Sequence, residues 1–126
     1  MNLMRVRMQL GRTPDHPEGD HRHGYLFVAP LAADGYLDAE AWPRVRGRCW
    51  ARRFHPDMGE HETPSGWLQH IGRGWRFDFG GEAGGPDDEE PLFKLDRHRV
   101  AVGDYISVTE PDGVQRPFRI IEVTPV

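Results

Sequence analysis

The sequence contains only one cysteine and one lysine, and both scarcities restrict what the chain can be. Because Cys49 has no second cysteine to pair with, a disulfide within the chain is excluded, and a reducing compartment is the simpler expectation. Arginine supplies the other fifteen basic residues, a bias expected of a GC-rich genome. With 20 acidic residues the net charge is −4, which argues against general binding of nucleic acid.

Long apolar stretches are also lacking. The longest mostly apolar run, Tyr25 to Ala33, contains Pro30 and is far too short to cross a bilayer. Apolar and charged side chains alternate in the first residues, MNLMRVRMQLGR, which lack the apolar segment of a secretion signal. We therefore expect a cytoplasmic protein without membrane contact, either a monomer or a homodimer.

The common enzyme motifs are missing as well. The sequence has no G-x-S-x-G nucleophile turn, no G-x-G-x-x-G, no Walker loop and no H-E-x-x-H. We identify no catalytic residue and expect no cofactor. These absences favour a non-enzymatic role, although they leave the question of enzyme activity open.

Short strands separated by turns dominate what is present. The 15 glycines and 11 prolines indicate many turns, and the period-two alternation from Met4 to Leu10 is typical of a half-buried strand. Asp38 is positioned to cap one short helix, which Pro43 would end. We predict a single mainly-β domain over residues 1–126, a small antiparallel β-barrel or sandwich of about seven to eight strands, with loops at 13–24 and 80–91.

The clearest local pattern is a hairpin around Gly72-Arg73-Gly74. A three-residue loop would place one set of side chains on a shared, buried face. That set is Trp67, Ile71, Trp75, Phe77 and Phe79.

An arginine-rich stretch, Arg44 to Phe54, also alternates and predicts a strand. One face of this strand would carry Arg44, Arg46, Arg48, Trp50 and Arg52. Guanidinium groups beside an aromatic ring can bind phosphates and stack a flat group, so these five are the candidate ligand-binding residues. Two alternatives remain open. Trp50 and Phe54 could face the core, or the acidic residues Asp87, Asp88, Glu89 and Glu90 could neutralise the arginines.

Six potential metal ligands lie within nine positions, namely Asp15, His16, Glu18, Asp20, His21 and His23. On a strand, His21 and His23 would point to the same side and could bind Zn, Fe, Mn or Ni. The pair resembles the first motif of the cupin barrels, but the apolar residues 25–28 stand where that motif needs an acid. His21 and His23 are therefore weak metal candidates, and we expect no bound metal.

Several stretches resemble a family of short, uncharacterised proteins from GC-rich bacteria. They are GYLFVAPLAADGYLDAEAW, GRGWRFDF, DDEEP and HRVAVGDYISVTEPDGVQRPFRIIEV. The resemblance extends over nearly the whole chain from Gly24 onward. The resemblance implies no activity, ligand or catalytic residue.

Three hypotheses follow. The leading one is a non-enzymatic, cytoplasmic β-barrel that binds a protein partner or an anionic ligand through the Arg44–Phe54 face. The second is a small metal-dependent enzyme that uses His21 and His23. The third is a structural subunit that pairs with another chain through an edge strand.

Overall fold

The computed structural model describes residues 1–57, 65–80, 89–93 and 98–126, with 89–93 described as backbone. Eight strands follow one another along the chain: β1 (Asn2–Leu10), β2 (Asp20–Leu31), β3 (Trp50–Phe54), β4 (Ser65–Ile71), β5 (Gly74–Asp78), β6 (Glu89–Phe93), β7 (Tyr105–Thr109) and β8 (Gln115–Pro125). Between β2 and β3 lie a four-residue helix, α1 (Trp42–Val45), and a 3₁₀ turn (Arg46–Arg48).

Each strand pairs antiparallel with the next one along the chain, and β1 also pairs with β8. The last pairing closes the sheet into a barrel, so the prediction of a mainly-β antiparallel fold with one short helix is confirmed. Pairing is most extensive between β1 and β2, from Asn2–Leu31 to Leu10–Asp20. Among the described residues it is shortest between β6 and β7, where two residue pairs are formed.

Aromatic rings fill the interior of the barrel. Tyr25 and Phe77 stack with centroids 5.0 Å apart, and Phe118 meets the Tyr25 ring edge-on at 5.0 Å. Phe27 contacts Phe77 at 5.1 Å, and all four side chains are fully buried. An eight-stranded barrel is just wide enough for side chains to fill it, and large rings do so with few residues. The fold therefore leaves binding to its outer surface and its ends.

Two glycines allow strands to approach each other closely. A Cβ atom on Gly24 would collide with the carbonyl oxygen of Met8, and one on Gly66 would collide with that of Asp78. Glycine inside a strand often marks a tight bend of a barrel. Both glycines thus permit the close strand contacts that the curved, closed sheet requires.

Strands occupy part of both segments that were predicted to be loops. Strand β2 begins at Asp20, so the loop prediction for 13–24 is wrong for its last five residues. The strand starts early because the β1–β2 register shifts between Gln9 and Leu10, which lets Leu10 pair with Asp20. The loop predicted at 80–91 is wrong for 89–91, which belong to β6, and residues 81–88 lie outside the described residues.

The short helix lies later in the chain than predicted. Asp38 Oδ1 accepts a hydrogen bond from the Ala41 backbone N–H at 3.0 Å, but α1 begins only at Trp42. Pro43 therefore lies in the first turn of the helix and does not end it. Proline suits that position because its missing N–H would have no partner within the helix.

The predicted hairpin register is wrong by one residue. Ile71 pairs with Gly74, which leaves a two-residue loop of Gly72 and Arg73, with Gly72 at φ +61°. This register places Leu68 opposite Phe77 inside the barrel. Trp75 and Phe77 share a buried face as predicted, and Phe79 is half-buried. Trp67 and Ile71 instead point outward and are 48 % and 53 % exposed.

We expect the two hairpin aromatics to differ sharply in their contribution to stability. Replacing the fully buried Phe77 by Ala should lower the free energy of unfolding by about 3–5 kcal/mol, because the change leaves a cavity. Trp67→Ala should change it by about 0.5 kcal/mol or less, as is usual at exposed positions. Denaturant unfolding of both variants measures the difference. If Trp67→Ala lowered the free energy of unfolding as much as Phe77→Ala, Trp67 would have to be buried, as the three-residue loop predicts.

Candidate functional site

The arginine-rich stretch is not a single strand. Arg44 lies in α1, Arg46 and Arg48 form the ends of the 3₁₀ turn, and only Trp50 and Arg52 belong to β3. The chain continues to turn because the Cys49 N–H donates to the Arg46 carbonyl at 3.2 Å. The prediction of one alternating arginine face is therefore wrong, since alternation projects side chains to one side only in a strand.

Part of the predicted site is nevertheless brought together. Trp50 pairs directly with Trp67 of β4, and both side chains lie on the outside of the barrel. Trp67 separates two shallow pockets, one of about 390 Å³ and one of about 270 Å³. We define the Trp–Arg surface as Trp42, Arg46, Trp50, Arg52 and Trp67, which line these two pockets. Arg44 and Arg48 lie outside both pockets.

The tryptophans of this surface are held by the barrel. Trp42 Nε1 donates a hydrogen bond to the Leu68 carbonyl oxygen at 3.0 Å, which fixes the indole over β4. The Arg46 guanidinium carbon lies 6.0 Å from the Trp42 ring centroid, at the outer limit of a cation–π contact. The surface is therefore built on regular structure, with Trp67 as its exposed centre.

The arginines here have no acidic partner within the described part of the chain. Arg44, Arg46, Arg48 and Arg52 are all exposed, and none of them forms an ion pair there. Asp87 and Asp88 lie outside the described residues. The backbone of 89–90 lies in β6, between β5 and β7, whereas β3 borders β2 and β4. Neutralisation by the acids at 87–90 stays a prediction.

Cys49 is buried among these residues and is a poor nucleophile. Its side chain is fully buried, and its thiol lies 3.4 Å from the Val45 carbonyl oxygen. Burial raises the pKa of Cys49 to about 11, against the opposing charge of Arg48. The thiol therefore stays protonated near neutral pH.

A second polar site lies at one end of the barrel. An open pocket of about 830 Å³ is lined from β2, β3, the β7–β8 turn and the segments next to them. We call this the barrel-end pocket and define it by His23, Arg53, His55, Glu110, Asp112 and Arg116. From the sequence cluster at 15–23 it also includes His16 and Asp20.

Glu110 lies at the base of this pocket and is 7 % exposed. Its carboxylate accepts hydrogen bonds from Tyr25 Oη at 2.8 Å, His23 Nε2 at 2.9 Å and Arg116 Nη1 at 3.0 Å. Burial by itself would raise the pKa of Glu110, but the hydrogen bonds from His23 and Tyr25 and the nearby positive charges lower it overall. Glu110 is therefore ionised, and His23 keeps its proton on Nε2.

The two histidines considered as metal ligands do not share a face. The register shift near Leu10 separates them, so that His21 is exposed on the outside while His23 is buried against Glu110. In the described ranges no three His, Cys, Asp or Glu side chains are grouped to hold a metal ion. The absence of a bound metal in the protein stays a prediction.

Sequence patterns could not reveal the barrel-end pocket. His23 and Glu110 are 87 residues apart, and His55 and Arg116 come from two further segments. In the sequence only the segment around His23 is conspicuous, because it contains many potential metal ligands. Their partners become visible only once the strands are ordered in the barrel.

Comparisons with protein-family models, curated proteins and solved structures gave no match. The resemblance to short proteins of GC-rich bacteria therefore stays a prediction. In the described ranges, no helix has the length and apolar character needed to cross a membrane.

The Glu110 network should make stability depend on pH in the acid range. The fold lowers the pKa of Glu110, so its contribution is present above the pKa of the unfolded chain and is lost as pH falls through the folded value. Glu110→Gln should lower the free energy of unfolding by about 1–3 kcal/mol near neutral pH. The difference from the wild type should shrink in acid.

Denaturant unfolding at about pH 7 and about pH 3 measures this effect. Glu122→Gln is the control, because Glu122 forms only a half-exposed pair with Arg5 at 4.0 Å. A pH-independent difference between the wild type and Glu110→Gln would contradict the assignment.

Proposed function

We propose that this protein is a non-enzymatic binding protein whose Trp–Arg surface docks an acidic segment of a protein partner. One observation carries the proposal: Trp67 is 48 % exposed at the centre of a surface that also holds two unpaired arginines, Arg46 and Arg52, in the described part of the chain. A large apolar ring held in water on a rigid sheet costs free energy unless a partner covers it.

The composition of the surface supports a protein partner. Trp and Arg are the residue types enriched in interface hot spots, and an apolar centre with a polar rim is the usual arrangement. Trp50 and Trp67 form such a centre, with Arg46 and Arg52 beside it. The shallow pockets on both sides of Trp67 could each receive a side chain of the partner.

Charge favours an acidic partner over a second copy of this chain. In a symmetric dimer through this surface, the arginines of one copy would face those of the other. The acid next to this surface, Asp78 of β5, lies opposite Trp67 of β4. Its carboxylate already accepts a hydrogen bond from the Gly80 N–H at 2.9 Å, so it is a poor partner for the arginines of a second copy. Pairing through an edge strand is disfavoured too, because each of the eight described strands has two neighbours.

The proposal includes a bacterial cytoplasm as the compartment. The resemblance to short bacterial proteins supports the origin. A single buried Cys49 requires no oxidising environment, which supports the cytoplasm.

A phosphate-bearing ligand with a flat ring is the second candidate. The pocket of about 390 Å³ offers two indoles, the Arg52 guanidinium and the hydroxyl of Ser65. Stacking together with a charge contact is how such ligands bind to aromatic surfaces. The pocket is shallow, however, whereas small ligands usually bind in deep clefts.

Peptide selection tests the proposed partner class. A displayed random library, selected on the wild type and counter-selected on Trp67→Ala, should enrich sequences that combine Asp or Glu with large apolar residues. Trp67→Ala should weaken a selected peptide about 30-fold or more if the ring is a hot spot. Arg52→Glu should also weaken it, and added salt should lower the affinity.

Arg119→Glu is the matched control, because Arg119 is exposed on β8, away from β3 and β4. Selection of basic peptides, or of peptides that bind Trp67→Ala equally well, would contradict the proposal. Salt-sensitive binding of ATP that needs Trp50 and Arg52, without enrichment of acidic peptides, would favour the second candidate.

The local charge can be tested without a partner. We expect the ratio of iodide to caesium quenching of the exposed Trp67 to exceed that of a free tryptophan derivative. The reason is that arginines without an ion pair in the described part of the chain concentrate anions there. Arg46→Gln and Arg52→Gln should each reduce quenching by iodide, whereas Arg119→Gln should not. A ratio no higher than that of the free derivative would contradict a locally positive surface.

A further inference from the structure

The barrel-end pocket is independent of the Trp–Arg surface. None of the described residues lines both, although neighbouring positions of β3 contribute to them, Arg52 to the surface and Arg53 to the pocket. The pocket borders the aromatic core, since the His23 ring lies 5.4 Å from that of Phe118. In the described part of the chain, His23 and Glu110 are the two polar residues that the barrel buries.

Three of the four described carboxylates of the pocket are already engaged by hydrogen bonds within the protein. Glu110 accepts three hydrogen bonds, and Asp112 forms a two-point contact with Arg116 at 2.7 and 3.0 Å. These contacts from Arg116 and the Val114 N–H lower the pKa of Asp112 to about 2. Asp20 accepts from the backbone and the guanidinium of Arg22. Acids held in this way offer little to a cation.

The imidazoles, by contrast, retain hydrogen-bonding capacity. His23 uses Nε2 for Glu110, and its Nδ1 has no partner among the described residues although the ring lines the pocket. The His55 ring meets His23 at a centroid distance of 4.6 Å. In the neutral His55 ring, Nδ1 accepts from the Asp57 N–H at 3.2 Å. In the protonated ring, Nδ1–H faces Asp57 Oδ2 at 3.6 Å, and Nε2 is the second site in both forms.

Protonation of the histidines would reverse the charge of the pocket. Among the described residues that line it, the cations are Arg22, Arg53 and Arg116, and the acids are Asp20, Asp57, Glu110 and Asp112. With neutral histidines these described residues therefore carry an excess of one negative charge. If His16, His23 and His55 are all protonated, the excess becomes two positive charges.

We propose that the barrel-end pocket binds a small oxyanion, which His23 and His55 hold in their protonated forms. The anion accepts hydrogen bonds from His23 Nδ1–H and His55 Nε2–H. Glu110 is a positioning residue: it fixes the His23 ring from behind and compensates its charge. Arg53 adds a third positive charge on the same side of β3. Anion binding is thereby linked to proton uptake.

Titration calorimetry with sulfate and formate tests the proposal, because neither anion takes up a proton near neutral pH. Affinity should be at least about tenfold higher at about pH 5.5 than at about pH 7.5. The observed enthalpy at the lower pH should vary with the ionisation enthalpy of the buffer, which reports the proton uptake. A preference for sulfate or for formate would distinguish a tetrahedral anion from a carboxylate.

Variants locate the bound anion. His55→Gln should weaken binding at the lower pH and flatten the pH dependence, while ring-proton NMR signals of His23 in the wild type should shift on adding sulfate. His98→Gln is the matched control, because His98 is exposed and outside the pocket. Arg52→Gln should not change anion binding by the barrel-end pocket, so this test is independent of whether the Trp–Arg surface binds a partner. Absence of binding at about pH 5.5, pH-independent binding, or full binding by His55→Gln would overturn the proposal.

Discussion

Pairing between β1 and β8 closes the sheet, and closure gives every strand one side that faces a filled interior and one that faces outward. The interior consists almost entirely of apolar side chains, so a polar group can enter only where it finds partners. His23 and Glu110 meet this condition because they lie at the end of the barrel and bond to each other, to Tyr25 and to Arg116. Because successive side chains of a strand point to opposite sides, Arg52 lies on the Trp–Arg surface while its neighbour Arg53 lines the barrel-end pocket.

The filled interior also decides where this fold can bind anything. In many barrels a ligand occupies the centre, but here a continuous series of ring contacts fills it, from Phe27 through Phe77 and Tyr25 to Phe118. The pockets described above lie on the outer face of β3 and β4 and at one open end. The two locations use different chemistry. The outer face offers flat apolar rings and arginines, whereas the end offers imidazoles beside carboxylates that are hydrogen-bonded within the protein.

Local patterns in the sequence predict the strands well but not their pairing. Alternation in β1 and the turn glycines identify the fold class, because both reflect local backbone preferences. Gly72-Arg73-Gly74 is compatible with a two-residue or a three-residue loop, and the choice depends on which side of β4 the barrel interior requires to be apolar. The prediction of one strand face from Arg44 to Phe54 is wrong for a related reason. Every second residue from Arg44 to Arg48 is charged whether the segment is a strand or a helical turn, and Pro43 at the start of α1 decides for the turn.

Net charge is a poor guide to what a folded surface attracts. The value of −4 argues against a general binder of polyanions, yet Arg44, Arg46, Arg48 and Arg52 are exposed without ion pairs in the described part of the chain. At physiological salt the Debye length is about 8 Å, so a partner close to these side chains responds to the local charges and hardly to the acids elsewhere. The overall negative charge would then act mainly at long range, where it disfavours extended polyanions and leaves short acidic segments able to dock. In the proposed role, this compact basic surface on an acidic protein would therefore discriminate between partners by the size of their charged region as well as by its sign.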